Sequence, residues 1–481
     1  MIICFSGAVS GVDNPPGDCY YNSNIIFKRG AETPARGHIC GGKLSPLLLC
    51  VLADVRRDIF LRPATGNGGN MDLLLKNSLI YAEDAFIEGD ILISGGYIAE
   101  VAPRISAVPG ARILDLKDLY IFPGFADVHV HLREPGFSYK ETIRTGTLAA
   151  ARGGYTAVCA MPNVSPAPDS PSGLAAQLAL IRENAAVRVL PYGAITRNRE
   201  GKAISDIAGL ADKVAAFSDD GSGVQSETVM RAAMVQAKAL GKLIVAHCED
   251  DGGAPPGESE WRQLSRDLGL VRETGCAYHA CHLSTKESVA LIRQAKAEGL
   301  DVTCEVTPHH LLLDETMVRD DGRFKMNPPI GSPRDRAALC DALRDGTVDM
   351  VATDHAPHSP QEKSLGLAGS QNGVSGLECA FAVLYTGLVE TGKIGLPRLI
   401  AAMSGAPRAR FGLGGGAIRP GAPADIAVFC LNRTYTVDPG EFLSMGKSTP
   451  FEGMAVKGRC MIALSGGKLI WKDTKEGIWH A

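Results

Sequence analysis

No stretch of this chain stays apolar long enough to cross a bilayer. The longest uninterrupted run, Leu47 to Ala53, falls far short of the roughly 20 residues that a membrane helix needs. It lies well inside the chain with Arg56-Arg57 close behind, which does not fit an ordinary signal peptide. A basic surplus is also missing. Lys and Arg number 49 against 53 Asp and Glu, a net charge of -4, so the footprint of a nucleic-acid binder is absent. No block of like charge suggests an interaction tail. The 13 cysteines contain no CxxC pair, which argues against a disulfide framework. Several of them, such as Cys159, Cys304 and Cys430, sit in apolar, strand-like runs. They read as buried free thiols in a reducing compartment, and the chain reads as cytoplasmic. No GxGxxG follows the first strand of the main body, which counts against a doubly wound dinucleotide-binding sheet.

What is present changes character at Met71. Residues 1–70 hold four cysteines, scattered Gly and Pro, and no sustained period of 2 or 3.6. They read as a disordered extension or a misassigned start ahead of a functional Met71, with a small accessory domain as the alternative. From Met71 to Tyr81 the pattern is that of a strand, and Asp90 to Val101 reads as a hairpin turned at Gly95-Gly96. Gly421–Phe429 and Met461–Trp471 have the same character. Residues 71–121 and 410–481 are therefore expected to pair into one small β domain, a β-sandwich.

Between them, 122–409 alternates short apolar runs with amphipathic segments. Strands are expected at Leu119–His131, Thr156–Pro162, Arg188–Ile195, Lys213–Phe217, Lys242–His247, Ala277–Leu283, Asp301–Thr307 and Asp349–Asp354. Helices are expected at Glu141–Arg152, Gly173–Asn184, Glu227–Leu240, Lys286–Glu298 and Pro333–Arg344. Eight strands separated by helices make an α/β fold, a TIM-like (β/α)8 barrel.

Nine of the 11 histidines fall between 129 and 358, most at the ends of those strands. Alternation along a strand puts His129 and His131 on one face, as a bidentate metal site requires. The other strand ends carry His247-Cys-Glu-Asp250, His282, His309-His310 and Asp354-His-Ala-Pro-His358. Barrel active sites form at that rim. Histidine and aspartate together suit a hydrolytic Zn²⁺ site with an open position for water. Cysteine ligation is not expected, because Cys248 and Cys281 lack partners at suitable spacing.

Seven motifs occur together and in order: Asp127-Val-His-Val-His-Leu-Arg-Glu-Pro-Gly136, Met161-Pro-Asn163, Phe217-Ser-Asp-Asp-Gly221, His247-Cys-Glu-Asp250, Cys281-His-Leu-Ser-Thr285, Lys325-Met-Asn-Pro-Pro329 and Ala352-Thr-Asp-His-Ala-Pro-His358. Through them the chain resembles the class I dihydroorotases of the amidohydrolase superfamily. The resemblance covers 71 to 481, about 85% of the chain. It implies one or two Zn²⁺ ions. His129, His131 and Asp354 would hold the first, and His247 and His282 a second. Where many relatives bridge with a carboxylated lysine, an aspartate stands here. The resemblance favours Asp220 over Asp219, because its spacing to His247 matches the dihydroorotase branch that carries an aspartate there, although the strand pattern does not separate the two. The resemblance also implies reversible closure of N-carbamoyl-L-aspartate to L-dihydroorotate in pyrimidine biosynthesis, with Asp354 as the general acid and base. Arg133, Asn163 and His358 would hold the substrate carboxylate, and Asn327 would contact the ring. No nucleic acid or membrane partner is implied; a homo-oligomer is, with aspartate transcarbamoylase as a candidate partner.

Three further expectations concern details. His309, His310 and His355 are read either as groups that orient ligands or as ordinary packing. His279, at odd spacing from His282, should face away from the site. The stretch Asp251–Trp261 before the next helix is shorter than the loop and helix of relatives, and the Gly- and Ser-rich stretch Ser359–Ser375 reads as a mobile loop. The alternatives are another cyclic amidohydrolase (a hydantoinase, dihydropyrimidinase or allantoinase) or an inactive dihydroorotase-like partner of aspartate transcarbamoylase. Neither a hydantoinase nor an allantoinase would need the carboxylate grip, and an inactive partner would typically have lost metal histidines.

Overall fold

In the computed structural model, residues 72–474 are described; the expectation for residues 1–70 lies outside them. The chain opens with β1 (Leu73–Ala82), β2 (Ala85–Ser94), β3 (Tyr97–Ala102), β4 (Arg112–Asp115) and β5 (Tyr120–Pro123). Two-residue turns set the register. Ser94 pairs with Tyr97 across Gly95-Gly96, whose φ values of 58° and 90° provide the left-handed pair that a tight hairpin needs. Glu83 and Asp84 do the same between β1 and β2 without glycine, and Tyr81 Oη donates to Asp84 Oδ1 at 3.1 Å.

The barrel strands follow: β6 (Phe125–Val130), β7 (Tyr155–Ala160), β8 (Arg188–Pro191), β9 (Gly193–Ala194), β10 (Phe217–Ser218), β11 (Ile244–Ala246), β12 (Tyr278–Ala280), β13 (Val302–Val306) and β14 (Met350–Val351). β8 and β9 are two pieces of the third barrel strand, broken at Tyr192. Parallel pairing runs β6-β7-β8 and β9-β10-β11-β12-β13-β14. A parallel bridge between Val130 and His355, with His131 N donating to His355 O at 2.8 Å, joins the last strand to the first. The ring is an eight-stranded barrel. Ala126, Val128, Ala157, Cys159, Val245 and Ala352 fill its interior, while Phe125, Tyr155 and Ala280 face the helices outside.

The chain returns through β15 (Ile426–Cys430), β16 (Tyr435–Thr436), β17 (Ala455–Val456), β18 (Arg459–Ser465) and β19 (Lys468–Lys472). β15 pairs with β5, and β18 with β15, so strands from both flanks of the barrel form one mixed sheet ordered β19-β18-β15-β5-β1-β2-β3, with β4 also on β1. Leu75, Ile80, Ile91, Ile121, Val428 and Ile462 share its core.

Several elements differ in extent from their sequence pattern. The helix expected from Glu141 starts at Ile143, because Thr142 and Thr145 form a reciprocal cap there. A 19-residue helix runs Pro256–Thr274, beginning inside the stretch read as loop. Pro256 suits the first helical turn and Gly275, at φ 64°, closes the last. The fourth and eighth strands shrink to Phe217–Ser218 and Met350–Val351. Among the described residues no helix is long and apolar enough to cross a membrane.

Candidate metal centre

At the C-terminal rim of the barrel one carboxylate sits among four imidazoles. Asp220 Oδ1 lies 3.2 Å from His129 Nε2, 3.5 Å from His247 Nδ1 and 3.6 Å from His282 Nε2, and Asp220 Oδ2 is 3.4 Å from His131 Nε2. Asp354 Oδ1 faces the same space, 3.0 Å from His131 Nε2 and 3.5 Å from His129 Nε2. The groups His129–His131–Asp354 and Asp220–His247–His282 each bring one ligand atom per residue within 4.8 Å of the others. All six residues are buried.

The donor set fits a cation. Buried, His129 Nε2 and Asp220 Oδ1 have no hydrogen-bond partner, an expensive condition unless something else satisfies them. Electrostatics agree. Burial works to raise the carboxyls, yet the imidazoles of His129, His247 and His282 hold Asp220 well below the usual range. His129 and His131 do the same for Asp354. Burial pulls His129 down, but Asp220, Glu305 and Asp354 push it well above its ordinary value.

Local backbone delivers these side chains. In β6 the register shifts between Asp127 and Val130, so Val128 points inward while His129 and His131 reach the rim. Asp127 holds that irregularity by accepting from His129 N at 3.0 Å and from Thr353 N at 3.1 Å. His282 and Asp354 adopt left-handed φ values of 26° and 46°, the kind of local strain that clusters at functional sites.

Beside the cluster is a second, cationic feature. Arg133 is buried, its Nε donates to Pro357 O at 3.2 Å, and its Nη2 stands 3.2 Å from His358 Nε2. Burial lowers the guanidinium to about 10, with Asp354 and Asp220 opposing. Burial and the charges of Arg133 and Lys140 bring His358 down to about 3, so it is a neutral ring at physiological pH. Asn163 Oδ1 accepts from His131 Nδ1 at 2.8 Å, which leaves its amide N–H groups as donors. Asn327 Nδ2 donates to Glu249 Oε2 at 3.1 Å and lies 3.4 Å from His247 Nε2.

A family model described as Dihydro-orotase-like matches residues 119–257. Over 414 residues the chain is 45% identical to a Dihydroorotase of Anoxybacillus flavithermus (strain DSM 21510 / WK1), covering 82% of this chain and 97% of that one. It is 46% identical over 423 residues to a Dihydroorotase of Bacillus caldolyticus, covering 84% and 99%. The chain belongs to the dihydroorotase family. Solved structures share its fold: L-hydantoinase (dihydropyrimidinase) from Arthrobacter aurescens has a TM-score of 0.77 at 25% identity, over 84% of this chain and 96% of that one. D-hydantoinase (dihydropyrimidinase) from Thermus sp. has a TM-score of 0.75 at 26% identity, over 85% and 97%.

In this dihydroorotase-family chain the remaining sequence candidates divide clearly. Asp219 faces away from the cluster: its carboxylate accepts from Ile195 N at 2.8 Å, Thr196 N at 3.1 Å and Thr196 Oγ1. His279 does not face away. Its Nε2 is 3.1 Å from Glu305 Oε2, inside the barrel below His129. The odd spacing misleads because β12 ends at Ala280 and the left-handed turn at His282 breaks the alternation. Cys281 lies within ligand distance of His129 and Asp220, although burial pushes its thiol up. His310 is used locally, bonded to Thr307 Oγ1 and Pro328 O, and His355 Nδ1 accepts from Gly376 N. His309 Nε2 is buried without a partner.

The stretch 359–375 is pinned. Lys363 Nζ donates to the carbonyls of Lys325, Gln371 and Gly373 at 3.0, 2.7 and 2.7 Å. Glu305, Asp127 and Glu249 are site residues that sequence reasoning passed over. The signal for Glu305 was present, as the one carboxylate inside the strand-like run Val302–Val306.

Proposed function

We infer that the chain is a dihydroorotase, catalysing the reversible closure of N-carbamoyl-L-aspartate to L-dihydroorotate. The observation that carries this reading is the adjacency of two features at one barrel rim. A cluster rich in His and Asp suits hydrolysis of a cyclic amide, and the buried Arg133 with Asn163 and His358 suits a carboxylate. Simple hydantoins and dihydrouracil have no such carboxylate to hold.

One or two zinc ions, held by His129, His131 and Asp354 and by His247, His282 and Asp220, would polarise the ring carbonyl and lower the pKa of water. Asp354, ionised at neutral pH, takes a proton from the attacking water in the hydrolytic direction and passes it to the departing ring nitrogen. The reverse order closes the ring. Arg133 grips the substrate carboxylate through its planar fork. The amide N–H of Asn163 adds a donor without adding charge, the neutral ring of His358, its Nε2 donating to Asn372 O, lines the grip beside Arg133, and Asn327 contacts the ring. The test is metal analysis of the purified chain together with rates on dihydroorotate and dihydrouracil. Turnover of dihydroorotate well above dihydrouracil is expected; the reverse preference would reject the substrate.

A further inference from the structure

We propose that Arg199, on the loop after the third barrel strand, is a positioning residue that clamps the turn carrying Asp220 and so delivers that carboxylate to the cluster. The inference rests on Asp220 being a metal ligand. It starts from how little holds that turn. The fourth barrel strand, β10, has only two residues, and Asp219 and Asp220 follow it at once. An aspartate has one methylene between backbone and carboxylate, so any shift of the backbone passes directly to the ligand oxygen. A register error of one residue would present Asp219 instead.

Two contacts from the third strand's loop remove that freedom. The Asp219 carboxylate is fully engaged by Ile195 and Thr196. Arg199 Nη2 donates to the carbonyl of Asp220 and stands 3.4 Å from the carbonyl of Asp219. Space for the guanidinium exists because the next residue is Gly221, at φ +87°, where a Cβ would stand 3.3 Å from Arg199 Nη2. Arg199 is itself held in an unfavourable backbone state. Asn198 and Arg199 take successive φ values of 51° and 59°, a region that asparagine visits readily and arginine seldom does. Asn198 N donates to Asp169 Oδ2 at 2.9 Å, and Arg199 N donates to Thr196 O at 3.1 Å. Meanwhile Asp220 Oδ1 is buried with no hydrogen-bond partner and faces the imidazoles of His129, His247 and His282, while Oδ2 faces His131. The clamp acts on the backbone and leaves the carboxylate oxygens free.

The test uses the full-length chain loaded with zinc and equilibrated against a graded chelator series, with zinc per chain as the readout and thermal unfolding recorded alongside. Asp220→Asn should lose zinc at much lower chelator concentration. Arg199→Met should lose it at about 10–100-fold lower free-chelator strength than wild type, the range typical of groups that orient a ligand. Its melting point should stay within a few degrees of wild type. Arg199→Lys, which keeps one donor for the Asp220 carbonyl, should fall between them. Wild-type zinc retention in Arg199→Met would overturn the proposal. So would normal retention in Arg199→Lys beside an Arg199→Met variant that merely unfolds, because stability would then be the residue's whole role. If Asp220→Asn kept its zinc, the premise and the proposal would fall together. Turnover is not the readout, so the substrate assignment stands or falls separately.

Discussion

His129 Nδ1 lies 2.6 Å from Glu305 Oε1, and the other oxygen of that carboxylate lies 3.1 Å from His279 Nε2. His279 Nδ1 is in turn 2.8 Å from Thr303 Oγ1. Burial would raise the Glu305 carboxyl, but His129 and His279 bring it down to about 2, so it is a full anion that fixes the tautomer and plane of His129. Glu305→Gln should therefore weaken zinc retention about 10–100-fold. His279→Ala should give a smaller loss in the same direction. Metal per chain measured after dialysis decides both.

Removing the metal should stop the reaction, and adding zinc back should restore it. Alanine at His129, His131 or Asp354 should bring turnover to background, and zinc should not rescue it. A variant of one of these three with normal rates would show that the residue is no ligand.

Arg133→Met keeps much of the side chain's length and removes its charge-assisted hydrogen bonds, each worth about 1.5–3 kcal/mol. kcat/KM for dihydroorotate should fall at least about tenfold while bound metal stays unchanged. Unaltered kinetics would leave the carboxylate without its main partner and sink the substrate assignment.

Asp127 makes stability depend on pH. Burial raises its carboxyl to about 7, against the hydrogen bonds from Thr353 and His129. The unfolded value is about 4, so the folded state holds this proton more tightly in between. Its contribution is complete below about pH 4 and is lost as the pH rises through about 7. At about 1.4 kcal/mol per unit, the change is a few kcal/mol. Asp127→Asn keeps a carbonyl acceptor and has nothing to titrate. Melting curves of the two proteins should diverge in the variant's favour from pH 4 to 8; a constant gap would contradict the assignment.

Much of the architecture was legible because apolar runs stop at polar, chemistry-bearing residues. His129, His131, His247 and Asp354 each mark where a strand meets the rim. What the sequence hid depended on contacts between distant segments. Asp219 and Asp220 cannot be separated on a strand that ends at Ser218; Ile195 and Thr196, more than 20 positions upstream, decide between them. His279 was misjudged because strand alternation was extended past Ala280, where the backbone turns. Ser359–Ser375 reads in sequence as a mobile loop, and only the folded chain shows three carbonyls converging on Lys363 within it.

The pairing of β5 with β15 brings Ile121 beside Val428 and Tyr120 beside Phe429. These partners are separated by some 300 positions, with the whole barrel between them. During ribosomal synthesis β5 emerges long before β15, and it presents an open hydrogen-bonding edge until the barrel has been made. Such distant contacts slow folding, and unpaired edges invite association with other chains. The interval between these two strands is when a nascent chain is most exposed to aggregation, and a product cut short after the barrel would stay in that condition permanently.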